Sequence, residues 1–239
     1  DMILIDDNFA SIVDAVEEGR AVYDNIRRFT GYHFCSNVGE LVPFLVWGIS
    51  GGAIPLPLVV MQVLAIDLGT DQLPAIALGT ERAEPGTMDR PPRPRGERIL
   101  NRAVVKRTFG WIGPLEGLAA ISSFLFAFLL AGWRPGESLP DSGTVYLEAT
   151  TMTLAGIVMA QVGAGLGWRT NRLSLRTIGL LTNRLLLVGI AVEVAMIALL
   201  AYTPGLDEVF HTSALGPWLW LFLLIWPPLV LAAEEARKA

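Results

Sequence analysis

Glu40, in the run FCSNVGELVPF, and Asp67 and Asp71, in VLAIDLGTDQLPAIALG, are carboxylates set inside otherwise apolar stretches. An ionisable group at the centre of a spanning helix costs roughly 2.5–3.5 kcal/mol on insertion scales, so each demands a compensating role. Asn37 and Glu40 are three residues apart and share a helix face, with Ser36 beside them. Pro43 removes a backbone donor and frees carbonyl oxygens in the turn before it. Asp67 and Asp71 are one helical turn apart with Thr70 alongside, and Gly69 and Pro74 weaken the helix there. Two carboxylates at such depth repel unless a cation sits between them. A hard cation takes several oxygens, and these segments offer carboxylates, an amide, hydroxyls and carbonyls. The pattern predicts half of a cation-binding site. Protonated acids that merely link helices are the plainer alternative, disfavoured because several costly groups coincide.

Other polar residues are less telling. Gln161 and Glu193 fall deep in later apolar runs and are expected to meet across a helix interface, as an accessory polar site or as a simple interhelical hydrogen bond. Glu116 and Glu148 lie near predicted span ends, where a carboxylate reaches water. His33 and His211 have no clustered partners at metal-ligand spacing and read as interfacial or loop residues. Cys35 is a lone thiol and reads as a small buried hydrophobe.

The elements that must position these residues are apolar helices. Hydrophobic residues make up 52% of the 239 positions and charged residues 17%, with a mean hydropathy of +0.49, which excludes an ordinary water-soluble domain. Runs long enough to span a bilayer occur at about 30–51, 57–79, 107–132, 146–168, 181–202 and 215–233. The sequence therefore predicts an all-α membrane protein, a bundle of six transmembrane helices with the lipid bilayer as solvent and no nucleic-acid partner. Turn chemistry separates the runs, and Pro85, Pro91, Pro92 and Pro94 make the loop after the second extended. Of the 18 basic residues, 17 fall on one side of this topology and only Arg134 on the other. Positive residues stay cytoplasmic, so both termini are expected there. Trp111, Trp133, Trp168, Tyr146, Tyr202, Trp218 and Trp220 sit near predicted span ends as interfacial anchors. The opening, DMILIDDNFASIVDAVEEGR, has no signal-peptide character. Met2–Ile5 reads as a short strand, and Asp7 or Asn8 as the cap of an amphipathic helix with Ile12, Val13 and Val16 on one face. A soluble domain is expected to end there, as part of something longer.

The order DMILIDDNFASIVDAVEEGR, SNVGE with a proline three residues on, IDLGTDQLPAIALGTE and MDRPPR resembles the C-terminal part of type II P-type cation-transporting ATPases. The resemblance implies that residues 1–28 are a short α/β end of a cytoplasmic phosphorylation domain with its stalk. Residues 29–239 would be the C-terminal transmembrane domain, spans five to ten. It implies that Asn37, Glu40, Asp67, Thr70 and Asp71 bind transported cations, with Ser36, Gln161 and Glu193 as possible accessory ligands. NVGE is similar to calcium pumps and IDLGTD to sodium/potassium pumps, so the implied cargo is calcium or sodium/potassium. Ala164 and Val192 stand where sodium pumps carry further acids, which leaves a third sodium site incomplete.

The chain has no DKTG, TGES, GDGxND or PEGL. No catalytic residue is therefore expected in it, and alone it should not hydrolyse ATP. ATP and magnesium would be used by cytoplasmic domains that, with the earlier membrane helices, are its implied partners, and the expected location is the plasma membrane. The alternative is an ATP-independent secondary cation transporter or channel subunit, whose usual cue, an inverted repeat, is absent: SNVGE and IDLGTD each occur once.

Overall fold

The computed structural model describes residues 8–94 and 96–238, and among these every regular element is helical. The strand expected at Met2–Ile5 lies outside the described residues. Helix α1 runs from Phe9 to Ile49, with the Asn8 side chain accepting from the Ala10 amide at its start. Its 41 residues make a rod about 60 Å long at the usual helical rise. The amphipathic helix and the first predicted span are thus one uninterrupted element, and Ile12, Val13 and Val16 are exposed on it.

The second predicted span is broken. Helices α2 (Val60–Ala65) and α3 (Gln72–Leu78) flank a π-helical turn at Ile66–Thr70, closed by the Asp71 amide donating to the Ile66 carbonyl at 3.2 Å. A second π turn, Thr108–Ile112, joins α4 (Arg102–Arg107) to α5 (Gly113–Leu130). Then follow α6 (Thr144–Trp168), the short α7 (Leu175–Ile178), α8 (Arg184–Tyr202), α9 (Leu206–Phe210), α10 (Pro217–Leu223) and α11 (Trp226–Lys238).

Four stretches are long and apolar enough to cross a membrane: Arg102–Leu130, Thr144–Trp168, Arg184–Tyr202 and Pro217–Lys238. They coincide with the last four predicted runs. The first two differ for a physical reason. His33, Asn37 and Glu40 dilute the apolar character of α1, and the π turn splits residues 60–78 into pieces too short to span by themselves.

Helix α6 is the core, packed by α1, α5, α8 and α11 and buried along nearly its whole length. Small residues bring backbones together, as is usual between membrane helices. A methyl placed on Gly113 or Gly117 of α5 would lie 2.7 Å from Val38 Cβ or 2.5 Å from Val42 Cβ of α1. The Trp168 ring covers Gly31, with the Arg107 guanidinium 3.6 Å above the ring. Trp168 is fully buried, so it is a core residue and not the interfacial anchor expected; Trp111, Trp218 and Tyr202 are exposed.

The extended Pro-rich segment is fastened by buried ion pairs. Arg28 donates to Glu84 at 2.7 Å, Arg90 to the other Glu84 oxygen at 3.1 Å, and the Asn171 amide to Glu84 at 2.6 Å. Arg169 pairs with Glu81, and apart from that segment Arg107 of α4 pairs with Glu234 of α11 at 2.7 Å. Burial pushes the Glu84 carboxyl up, but the Asn171 amide and the Arg28 and Arg90 guanidiniums outweigh it and hold it below the ordinary glutamate range. A depressed folded-state value contributes stability above the unfolded-state value, and that contribution is lost as pH falls through the folded one. Glu84→Ala strands the buried Arg28 and is expected to cost about 3–5 kcal/mol in thermal unfolding near neutral pH. The gap to the unaltered protein should close in acid.

Candidate cation site

The predicted ligands on α1 divide between two surroundings. Glu40 is buried, and Ser36 Oγ donates to its Oε1 at 3.3 Å. Asn37 is exposed, so the shared face predicted for Asn37 and Glu40 is split, with Asn37 on the outward flank of the helix. Across from them the π turn displays its polar groups. Asp71 and Thr70 are buried and Asp67 is half-buried. Asp67 and Asp71 both lie within Coulombic range of Glu40.

The π turn explains why the second segment can serve ligands. An i→i−5 bond widens the helix and rotates the side chains that follow, an arrangement frequent at functional sites. Thr70 Oγ1 donates to the Ile66 carbonyl at 3.1 Å, which leaves its lone pairs facing outward from that bond. Gln72 Nε2 donates to the Asp67 carbonyl at 2.8 Å and pins the distorted turn.

Gln161 and Glu193 do not bond to each other; both dock on α1. Gln161 Nε2 donates to Ser36 Oγ at 2.6 Å, so a relay of Gln161, Ser36 and Glu40 links α6 to α1. Tyr32 donates its hydroxyl to Glu193 Oε1 at 3.0 Å. Two residues escaped the sequence reading. His33, expected at an interface or in a loop, places Nδ1 3.1 Å from Asp71 Oδ2. Glu116, expected to reach water, is fully buried against α1, and neither of its oxygens has a hydrogen-bond partner. The signal for Glu116 was present in GPLEG, a small-xxx-small motif that marks close helix contact. Glu148 is half-buried, and His211 caps α9 as an exposed residue. Among the described residues, no three His, Cys, Asp or Glu side chains gather closely enough to hold a metal ion by themselves. The acids supply charge from several helices, and neutral oxygens must complete any coordination shell.

The family model described as "Cation transporting ATPase, C-terminus" matches residues 55–239. The chain belongs to the cation-transporting ATPases, in the C-terminal region of the type II P-type class. Its relatives there include the sodium/potassium-transporting ATPase subunit alpha of Tetronarce californica, 34% identical over 263 aligned positions that take in all of this chain and 25% of the relative. The human alpha-3 subunit is 34% identical, with 26% of its length covered, and the human alpha-4 subunit 35% identical, with 25% covered. The chain thus spans about a quarter of the length of these relatives.

Tyr32→Phe removes the partner of Glu193 and leaves that buried carboxyl with no hydrogen bond on either oxygen. It is expected to cost about 1–3 kcal/mol of thermal stability, with helix content by circular dichroism unchanged.

Proposed function

We propose that the chain is the C-terminal transmembrane part of an ATP-driven cation pump, supplying carboxylate, amide and hydroxyl ligands from two adjoining segments. The reading rests on one juxtaposition: Glu40, held by Ser36, to which Gln161 in turn donates, faces a π turn that carries Asp67, Thr70 and Asp71. In this reading residues 29–239 form six spans, the half of α1 beyond Thr30 and the broken segment 57–79 joining the four apolar helices. Residues 1–28 belong to the end of the phosphorylation domain and its stalk. Both ends lie in the cytoplasm, supported by the side on which 17 of 18 basic residues fall, and the location is the plasma membrane.

The cargo we assign is sodium/potassium-like rather than calcium. The names of the similar alpha subunits and the carboxylate at Asp67 favour it. Asn37, Glu40, Asp67, Thr70 and Asp71 are the proposed ligands, with Ser36, Gln161 and Glu193 accessory. ATP and magnesium act in the portion of the pump beyond this quarter, and phosphorylation there is coupled to opening the site to alternate sides. No residue of this chain is assigned a part in the hydrolysis itself.

In the full-length pump, Asp71→Asn and Glu40→Gln should each raise the cation concentration that half-saturates phosphoenzyme formation by roughly tenfold or more, as expected for loss of a charged ligand. Membrane insertion should stay intact. Glu193→Gln should shift it less. Unchanged cation dependence in Asp71→Asn and Glu40→Gln would remove them from the ligand set, and cation flux by the purified protein without ATP would favour the secondary-transporter alternative.

A further inference from the structure

Glu116 is the polar group that the proposed ligand set leaves unexplained. It sits on α5 between Gly113 and Gly117, where α5 and α1 approach most closely. A methyl on Gly39 of α1 would lie 2.9 Å from Glu116 Cβ and 3.1 Å from its Oε2, so the missing side chain at Gly39 is the space the carboxyl fills. Gly39 lies between Ser36 and Glu40 on the same helix.

Among the described residues, no basic side chain faces this acid. The charged groups in reach of Glu116 are Glu40, Asp71 and Glu193, all carboxyls. A buried carboxyl with two unsatisfied oxygens is costly, and an intramembrane acid is by default a functional group. Independent polar atoms are also unpartnered there. Gln161, fully buried and bonded through Nε2 to Ser36, has its Oε1 free, and Glu193 Oε2 is free as well. Pro43 has no N–H to give the Gly39 carbonyl, so a backbone oxygen in the same turn lacks its helical donor.

We propose that Glu116 is a ligand of a transported cation, forming with Gln161 Oε1 and the Gly39 carbonyl a subsite that extends the α1 half-site onto α5 and α6. One carboxylate with neutral oxygens suits a hard monovalent cation. A divalent one would call for a gathering of acids that the described residues do not provide. The subsite rests on the pump reading above.

The test is equilibrium binding of radioactive sodium to the purified full-length pump in detergent, with rubidium and calcium as further probes. Glu116→Gln should lose one sodium per molecule or bind it roughly tenfold more weakly, while Asp71→Asn disturbs a separate portion of the binding. Glu116→Asp keeps the charge but retracts it by one methylene, and should keep the number of bound ions with weaker affinity. Glu116→Gln with unaltered number and affinity overturns the proposal and leaves the pump reading standing. If Glu116→Gln fails to fold, unaltered affinity in Glu116→Asp overturns it equally. An unaltered protein that binds none of the three ions fails the pump reading and this subsite together.

Discussion

A carboxylate inside an apolar helix bundle must be answered by a proton, a base or a cation, and this fold places its bases elsewhere. Arg28, Arg107 and Arg169 are all buried, yet each is spent on a glutamate at one end of the bundle. Glu40, Asp71, Glu116 and Glu193 are buried in the middle, and among the described residues His33 is the one basic side chain bonded to any of them. Such segregation costs stability, because unpaired acids are expensive in a low dielectric. It also leaves an oxygen-lined layer of acids that a proton or a cation can neutralise. The glycine seams, the π turn and the relay from Gln161 each bring an oxygen or a backbone close to the acids.

The broken second segment and the continuous first one divide the work between them. A regular helix satisfies its own backbone and offers a ligand only side chains. The π turn at Ile66–Thr70 gives up that self-sufficiency, and Gln72 is recruited to hold it in shape. In α1 the distortion is confined to Pro43, which opens one carbonyl without ending the helix. Distortion in these two segments thus lies beside the acids, and a second π turn at Thr108–Ile112 leads into α5, while α6 and α8 remain regular.

Much of this was legible in the sequence because apolar runs of spanning length and misplaced acids are local signals. The later four spans, the extended Pro-rich loop, the Asn8 cap and the weak point near Gly69 all follow from such patterns. What the patterns miss is partnership between distant residues. Nothing near His33 announces Asp71, and nothing near Gln161 announces Ser36, because those contacts depend on how helices rotate against one another. Glu116 was misplaced for a related reason. Its position near a span end suggested water, but the second π turn and the glycines on either side press that part of α5 against α1. Trp168 likewise reads as an anchor until Gly31 and Arg107 enclose it. The exposed position of Asn37 shows the limit of the three-residue spacing: neighbours on a helix face need not share a surrounding.

The unbroken length of α1 sets a geometric amplification. Arg20 is tied to the carbonyls of Thr87 and Arg90, and Glu40 stands about 30 Å further along the same rod at the usual helical rise. A stiff shaft pivoting near its outer end sweeps its inner end through an arc proportional to that distance, so a swing of about 5° would carry the Glu40 carboxyl by about 2.5 Å. That displacement is close to the length of a cation–oxygen contact. A small angular play at the surface is therefore enough to shift the Glu40 carboxyl by the length of such a contact, with no helix having to melt.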